Sequence, residues 1–200
     1  MPSWLCVRAS RPITVCGLSL LLASFVACGS PPPMPINVNA EWATRTLDDG
    51  LVKLSVPTDW NTGGAWAVAG SFSDLVGSFS NQSLSSPCTT GPSSITCGPP
   101  LTSLQDGAML VEIFHDASGM SSVESHPGTP TTVSGLAASS TDSSGSAGPC
   151  TGLGADRTRT VIIPYPSAPD NWIEIDICSR GVDDAVGARI ITSVAVSLAS

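Results

Sequence analysis

Charge is scarce in this chain. Asp, Glu, Lys and Arg together make up 12% of its 200 residues, and it has two histidines and one tyrosine. Past residue 27 only Arg45, Lys53, Arg157, Arg159, Arg180 and Arg189 are basic, against 16 acidic residues. That balance excludes nucleic acid as a partner, since neutralising phosphates takes clustered Lys and Arg. It equally excludes docking on anionic lipid heads by charge. No apolar run reaches the ~18 residues of a membrane-spanning helix; the mainly apolar run from Ile13 to Ala27 has 15. The Gly-x-Ser-x-Gly elbow of α/β hydrolases is missing, as are Cys-x-x-Cys pairs for zinc and calcium-loop spacing. Gly152-Leu153-Gly154 lacks the third glycine and the preceding strand of a dinucleotide fingerprint. No metal or cofactor is expected.

What is present begins with Leu18-Ser-Leu-Leu-Leu-Ala-Ser-Phe-Val-Ala-Cys28, preceded by Arg8 and Arg11 and by no acidic residue. A positive flank, a short apolar run and a small residue at its end form the layout of a secretory signal. The stretch Ala27-Cys28-Gly29-Ser30 resembles the lipobox of bacterial lipoproteins, in which the cysteine is acylated and becomes the new first residue. Phe25 departs from that pattern, standing where leucine is usual. The resemblance implies a signal peptide over 1–27 and a lipid tether on Cys28. It puts the mature protein on the extracytoplasmic face of the cell membrane. Two or more acyl chains make such an anchor stable. Residues 28–40 hold four prolines and are expected to form an extended, semi-rigid spacer. Residues 41–200 are enough for one domain with a real core.

Of seven cysteines, Cys6 and Cys16 are expected to leave with the signal, and the lipobox resemblance implies that Cys28 carries lipid. The remaining four, Cys88, Cys97, Cys150 and Cys178, are an even number in a compartment that permits disulfides. Cys88 and Cys97 close a short loop containing Gly91-Pro92. Folding 158–163 against 172–177 brings Cys178 near Arg157, and the flexible segment 151–156 lets Cys150 return to it. The expected pairs are therefore Cys88–Cys97 and Cys150–Cys178.

The pattern of the domain is that of strands with one late helix. Glu41–Thr46 and Leu51–Val56 flank Leu47-Asp48-Asp49-Gly50, a hairpin signal, and Pro57 closes the second strand. Residues 66–72 suggest another strand, and 78–104 a long loop. Ala108-Met-Leu-Val-Glu-Ile-Phe114 is expected to be the central strand and 132–138 a short one. The Ser/Gly-rich stretch 139–154 is expected to be loop. Strands over 158–163 and 172–177 follow, the second alternating Ile173, Ile175, Ile177 with Trp172, Glu174, Asp176, as in a sheet with one wet face. Val182, Val186, Ile190 and Val194 then recur every four residues, the period of an amphipathic helix. The class is α+β: about six mostly antiparallel strands packed against a C-terminal helix.

An N-terminal strand running into Pro57-Thr-Asp-Trp60, short strands, and a last helix ending Ile191-Thr-Ser-Val194 resemble the PsbP-like fold of LpqN-type mycobacterial lipoproteins. The resemblance spans about 41–198 and implies a binding or accessory protein, with no catalytic residue to carry over.

Candidate chemistry is thin. His115 beside Asp116 and Glu112 is the one cluster that could supply a base, while His126 lies in a polar loop. Glu174 and Asp176 share a strand face expected to be solvated. Arg157, Arg159 and Arg180 could form a small basic spot, although isolated arginines near acids make weak surface pairs. Trp60 lies in a loop with Gly63 and Gly64, where a ligand could approach; with Trp66 it is the candidate for binding a glycan or an apolar partner. Two functions follow: a non-catalytic envelope lipoprotein that binds a ligand or protein, or a small lipid-tethered hydrolase.

Overall fold

A computed structural model of the chain describes residues 31–197, apart from residue 38 and segments 66–72, 86–87, 91–94, 98–99, 117–127, 145–149 and 166–167. Its first element is the expected hairpin. β1 (Trp42–Leu47) pairs antiparallel with β2 (Val52–Pro57), Trp42 opposite Pro57 and Leu47 opposite Val52. Between them Asp48, Asp49 and Gly50 all have positive φ, a conformation that Gly adopts freely and Asp tolerates. Val52, Leu54 and Val56 alternate inward and are fully buried.

The strands that follow are β3 (Asn61–Gly63), β4 (Ser73–Ser80), β5 (Cys88–Thr90), β6 (Ile95–Cys97), β7 (Ala108–Asp116), β8 (Thr129–Val133), β9 (Leu136–Ser144), β10 (Arg157–Tyr165) and β11 (Ala168–Arg180). The helix α1 (Ala185–Ser193) and the two-residue β12 (Ala195–Val196) complete the described fold. Seven strands form one sheet in the order β3-β4-β7-β11-β10-β9-β8; a second sheet runs β1-β2-β12, and β5-β6 is a separate ribbon. Every pairing is antiparallel. The class is thus mostly antiparallel sheet with a C-terminal helix, in ten strands over two sheets plus the ribbon rather than about six.

The extra strands come from stretches that composition marks as loop. Ser73–Ser80 pairs with β7 through Phe79 opposite Val111. Leu136–Ser144 pairs with β10 through Thr141 opposite Thr160. A strand held on both edges by neighbours does not need strong intrinsic β-propensity. The expected strand 132–138 is in fact a hairpin: Ser134 and Gly135 both have positive φ, the two-residue turn that joins tightly twisted strands. The possible strand over 66–72 lies outside the described residues.

The core fills the space between the two sheets. Met109, Val111 and Ile113 of β7 and Ile173, Ile175 and Ile177 of β11 face the β1-β2-β12 sheet, with Val186 and Ile190 of α1 among them. The helix is shorter than the 182–194 periodicity suggests. It docks through Gly187, where an added Cβ would meet Ile177 at 3.4 Å, and Ser193 Oγ accepts the Ser55 amide proton of β2 at 2.8 Å. Arg189 lays its guanidinium 4.0 Å over the Trp42 ring, a cation–π contact. A second, smaller cluster (Leu101, Leu104, Ala108, Leu110, Leu153) covers one end of the opposite sheet face. Among the described residues no helix is long and apolar enough to cross a membrane.

The proline-rich stretch 28–40 is not a free spacer throughout. Met34 exchanges both backbone hydrogen bonds with Asn81: its amide donates to the Asn81 carbonyl at 2.9 Å, and its carbonyl accepts from Asn81 Nδ2 at 2.6 Å. Ile36 packs against the main core.

Candidate functional site

The polar residues of the seven-stranded sheet form a row across its second face. Ser78 of β4 lies opposite Glu112 of β7, Glu112 opposite Asp176 of β11, Asp176 opposite Thr160 of β10, and Thr160 opposite Thr141 of β9. Directly opposed side chains on one face sit about 5 Å apart at Cβ, so register alone brings the Glu112 and Asp176 carboxyls together. Both are buried: Glu112 is 8% and Asp176 2% exposed. This corrects the expectation of a wet face. Leu110 and Cys178, next along the same face, are covered by the smaller cluster, and the carboxyls are buried beside them.

Burial of charge without a compensating cation sets their protonation. Desolvation alone pushes Glu112 up to about 7. For Asp176, desolvation comes first, then the charge of Glu174; despite the opposing Thr160 hydrogen bond, the carboxyl is pushed up to about 8. Thr160 Oγ1 donates to Asp176 Oδ1 at 2.6 Å. The pair is therefore largely protonated in mildly acidic solution and ionises only in the neutral to alkaline range. Among the described residues no group of three or more His, Cys, Asp and Glu side chains is arranged to hold a metal ion.

The proposed base cluster is not assembled. His115 and Glu112 are three positions apart on β7 and so point to opposite faces. His115 pairs instead with Asp48 of the β1–β2 turn, Nδ1 to Oδ2 at 3.0 Å. Asp48 is far away in sequence, and its left-handed turn conformation gave no sign of that role. Trp60 is 5% exposed within the main core, where the Thr58–Trp60 turn folds the ring inward; it is not an exposed ligand-binding aromatic. Trp66, His126 and Cys28 lie outside the described residues.

Arg157, Arg159 and Arg180 do not make a basic spot. Arg159 bridges Asp142 of β9 and Asp184 at the start of α1, at 3.0 and 2.8 Å, and Arg157 reaches the same two carboxylates. Arg180 pairs with Asp106 at 2.8 Å. Cys150 and Cys178 are bonded, with Cα atoms 5.5 Å apart; β10 opposite β11 in the anticipated register, Thr158 facing Cys178, makes this possible. Cys88 and Cys97 occupy directly opposed positions in the β5-β6 ribbon.

Asn81 was missed altogether. Its buried side chain donates to the carbonyls of Met34 and Gly107, at 2.6 and 2.8 Å, and accepts from the Met109 amide at 2.8 Å. A polar residue after a Ser/Phe-rich strand carries no sequence signal for such a bracket. No protein-family model matches this chain, and no curated protein matches it.

Proposed function

We propose that this protein is a lipid-anchored component of the cell envelope, tethered at Cys28 on the extracytoplasmic face, whose domain binds a ligand or partner protein and performs no catalysis. The observation that carries the reading is the Cys150–Cys178 disulfide, because bonded structural cysteines belong to oxidising, exported surroundings. The signal-like N-terminus and the lipobox resemblance supply the route and the anchor. The disposition of reactive groups favours binding over turnover. The Glu112–Asp176 pair is nearly sealed from solvent, whereas a general acid must reach its substrate. A glycan or an envelope protein is the class of partner suited to an acidic domain poor in cations.

The test is partitioning. Expressed in a bacterial host, the wild type should enter the detergent phase and carry acyl mass on Cys28, and Cys28→Ala should remain precursor or appear in the medium. An alanine form that partitions like wild type removes the anchor. Turnover of ester, peptide or glycan substrates by the purified domain, abolished by changing a residue of this chain, would instead make it a tethered hydrolase.

A further inference from the structure

The docked N-terminal stretch and the anchor together define an orientation. Met34 is clasped to Asn81, and the Gln105 side chain donates to the Pro31 carbonyl at 3.4 Å. Both contacts lie at one end of the seven-stranded sheet, where β4 ends, β7 begins and β11 ends. Gly107 and Gly181 meet there: the Gly107 amide donates to the Arg180 carbonyl at 2.9 Å. Pro35 and Ile36 line a groove of about 250 Å³ with Val182 and Val186 at the same end.

Only two residues separate Cys28 from Pro31, which is three steps along the chain. A fully extended chain gains ~3.3–3.6 Å per residue, so Cys28 lies within about 11 Å of the docked Pro31. The far end of the sheet is a different matter. β7 runs nine residues from Ala108 to Asp116, which at ~3.4 Å per step places its His115 end roughly 27 Å from the docked end.

Resting on the reading of Cys28 as acylated, we infer that the domain does not swing on its tether: the end built from Gln105–Gly107 and Arg180–Asp183 faces the lipid headgroups. The end carrying the Asp48–His115 pair is presented outward. Charge is not the cause. Asp106, Asp156 and Asp183 cluster around the membrane-side end, with Asp106 bound to Arg180 and Asp156 Oδ2 accepting from the Gly181 amide, and acidic groups gain nothing at an anionic surface. Covalent reach and the Asn81 bracket set the orientation.

The experiment uses the full acylated chain, purified from membranes and placed in phosphatidylcholine nanodiscs doped with a nitroxide-headgroup lipid. Methyl signals are read by NMR against discs without the nitroxide. Ile36 and Val182 should lose most of their intensity, and Leu47 and Leu51, beside the Asp48 turn, should keep theirs. A variant with ten Gly/Ser residues inserted between Ser30 and Pro31 leaves every domain contact in place and should lose this contrast. Equal losses at both ends in an acylated, disc-bound protein overturn the orientation alone. An unchanged contrast in the spacer variant overturns it too, because reach would not be its cause. A chain without acyl mass that never joins the disc overturns the anchor, and the orientation with it.

Discussion

Glu112 and Asp176 are buried like the isoleucines on their strands, at 8% and 2% exposure, and their consequence is a pH dependence. Glu112 moves from an ordinary 4.5 to about 7 and Asp176 from 3.8 to about 8 on folding. Between those limits the folded state holds more protons than the unfolded chain, so stability falls as pH rises. Their contribution is intact below about pH 4 and is lost as pH passes through about 7 and 8. For Glu112 alone the loss is on the order of 3 kcal/mol. Urea midpoints measured from pH 5 to 8.5 should decline. Glu112→Gln and Asp176→Asn should each flatten that decline and be more stable than wild type at pH 8.5. A flat wild-type profile would mean that water or a cation reaches the pair.

Among the elements, the β10–β11 hairpin bears the most structure. It pairs over nine positions from Arg157–Ser179 to Tyr165–Ala168, supplies the central isoleucines, and is fastened at its open end by the disulfide. The Arg157–Arg159–Asp142–Asp184 network ties that hairpin to β9 and to the start of α1. Burial works against it, yet hydrogen bonds and charge from Arg159 and then Arg157 hold the Asp142 carboxyl below its ordinary range. The disulfide spans 28 positions, and in the loop-entropy account its removal costs roughly 3–4 kcal/mol. The Cys150→Ala/Cys178→Ala double variant should therefore melt about 10 °C below wild type, as seen by circular dichroism. A change of only a degree or two would show that the strand pairing closes this loop unaided.

At the scale of the whole molecule, the domain begins before its first strand. The Met34–Asn81 hydrogen bonds and the Ile36 contact belong to the folded unit. A chain starting at Glu41 forfeits three hydrogen bonds, that from Gln105 to Pro31 included, and a partly buried isoleucine, and leaves a donor of buried Asn81 to water. It should be less stable than one starting at Gly29 by about 2–3 kcal/mol, measured as a denaturant-midpoint difference at equal m. Equal midpoints would show that the stretch merely lies on the surface.

The sequence by itself determined what depends on local chemistry. The β1–β2 turn follows from the Asp49-Gly50 signal, the central strands from apolar runs, and the terminal helix from a four-residue repeat. The Cys150–Cys178 pair was legible because it needed only one hairpin in one register. Tertiary structure decided the rest, since it turned on neighbours distant in the chain. Serine-rich β9 is a strand because β8 and β10 flank it. Trp60 is core because its turn folds inward, and His115 meets Asp48 rather than Glu112 because strand faces alternate. Asp176 looked solvated in a period-of-two pattern. That pattern says which side chains share a face, while only the packing of the whole chain says whether water reaches it.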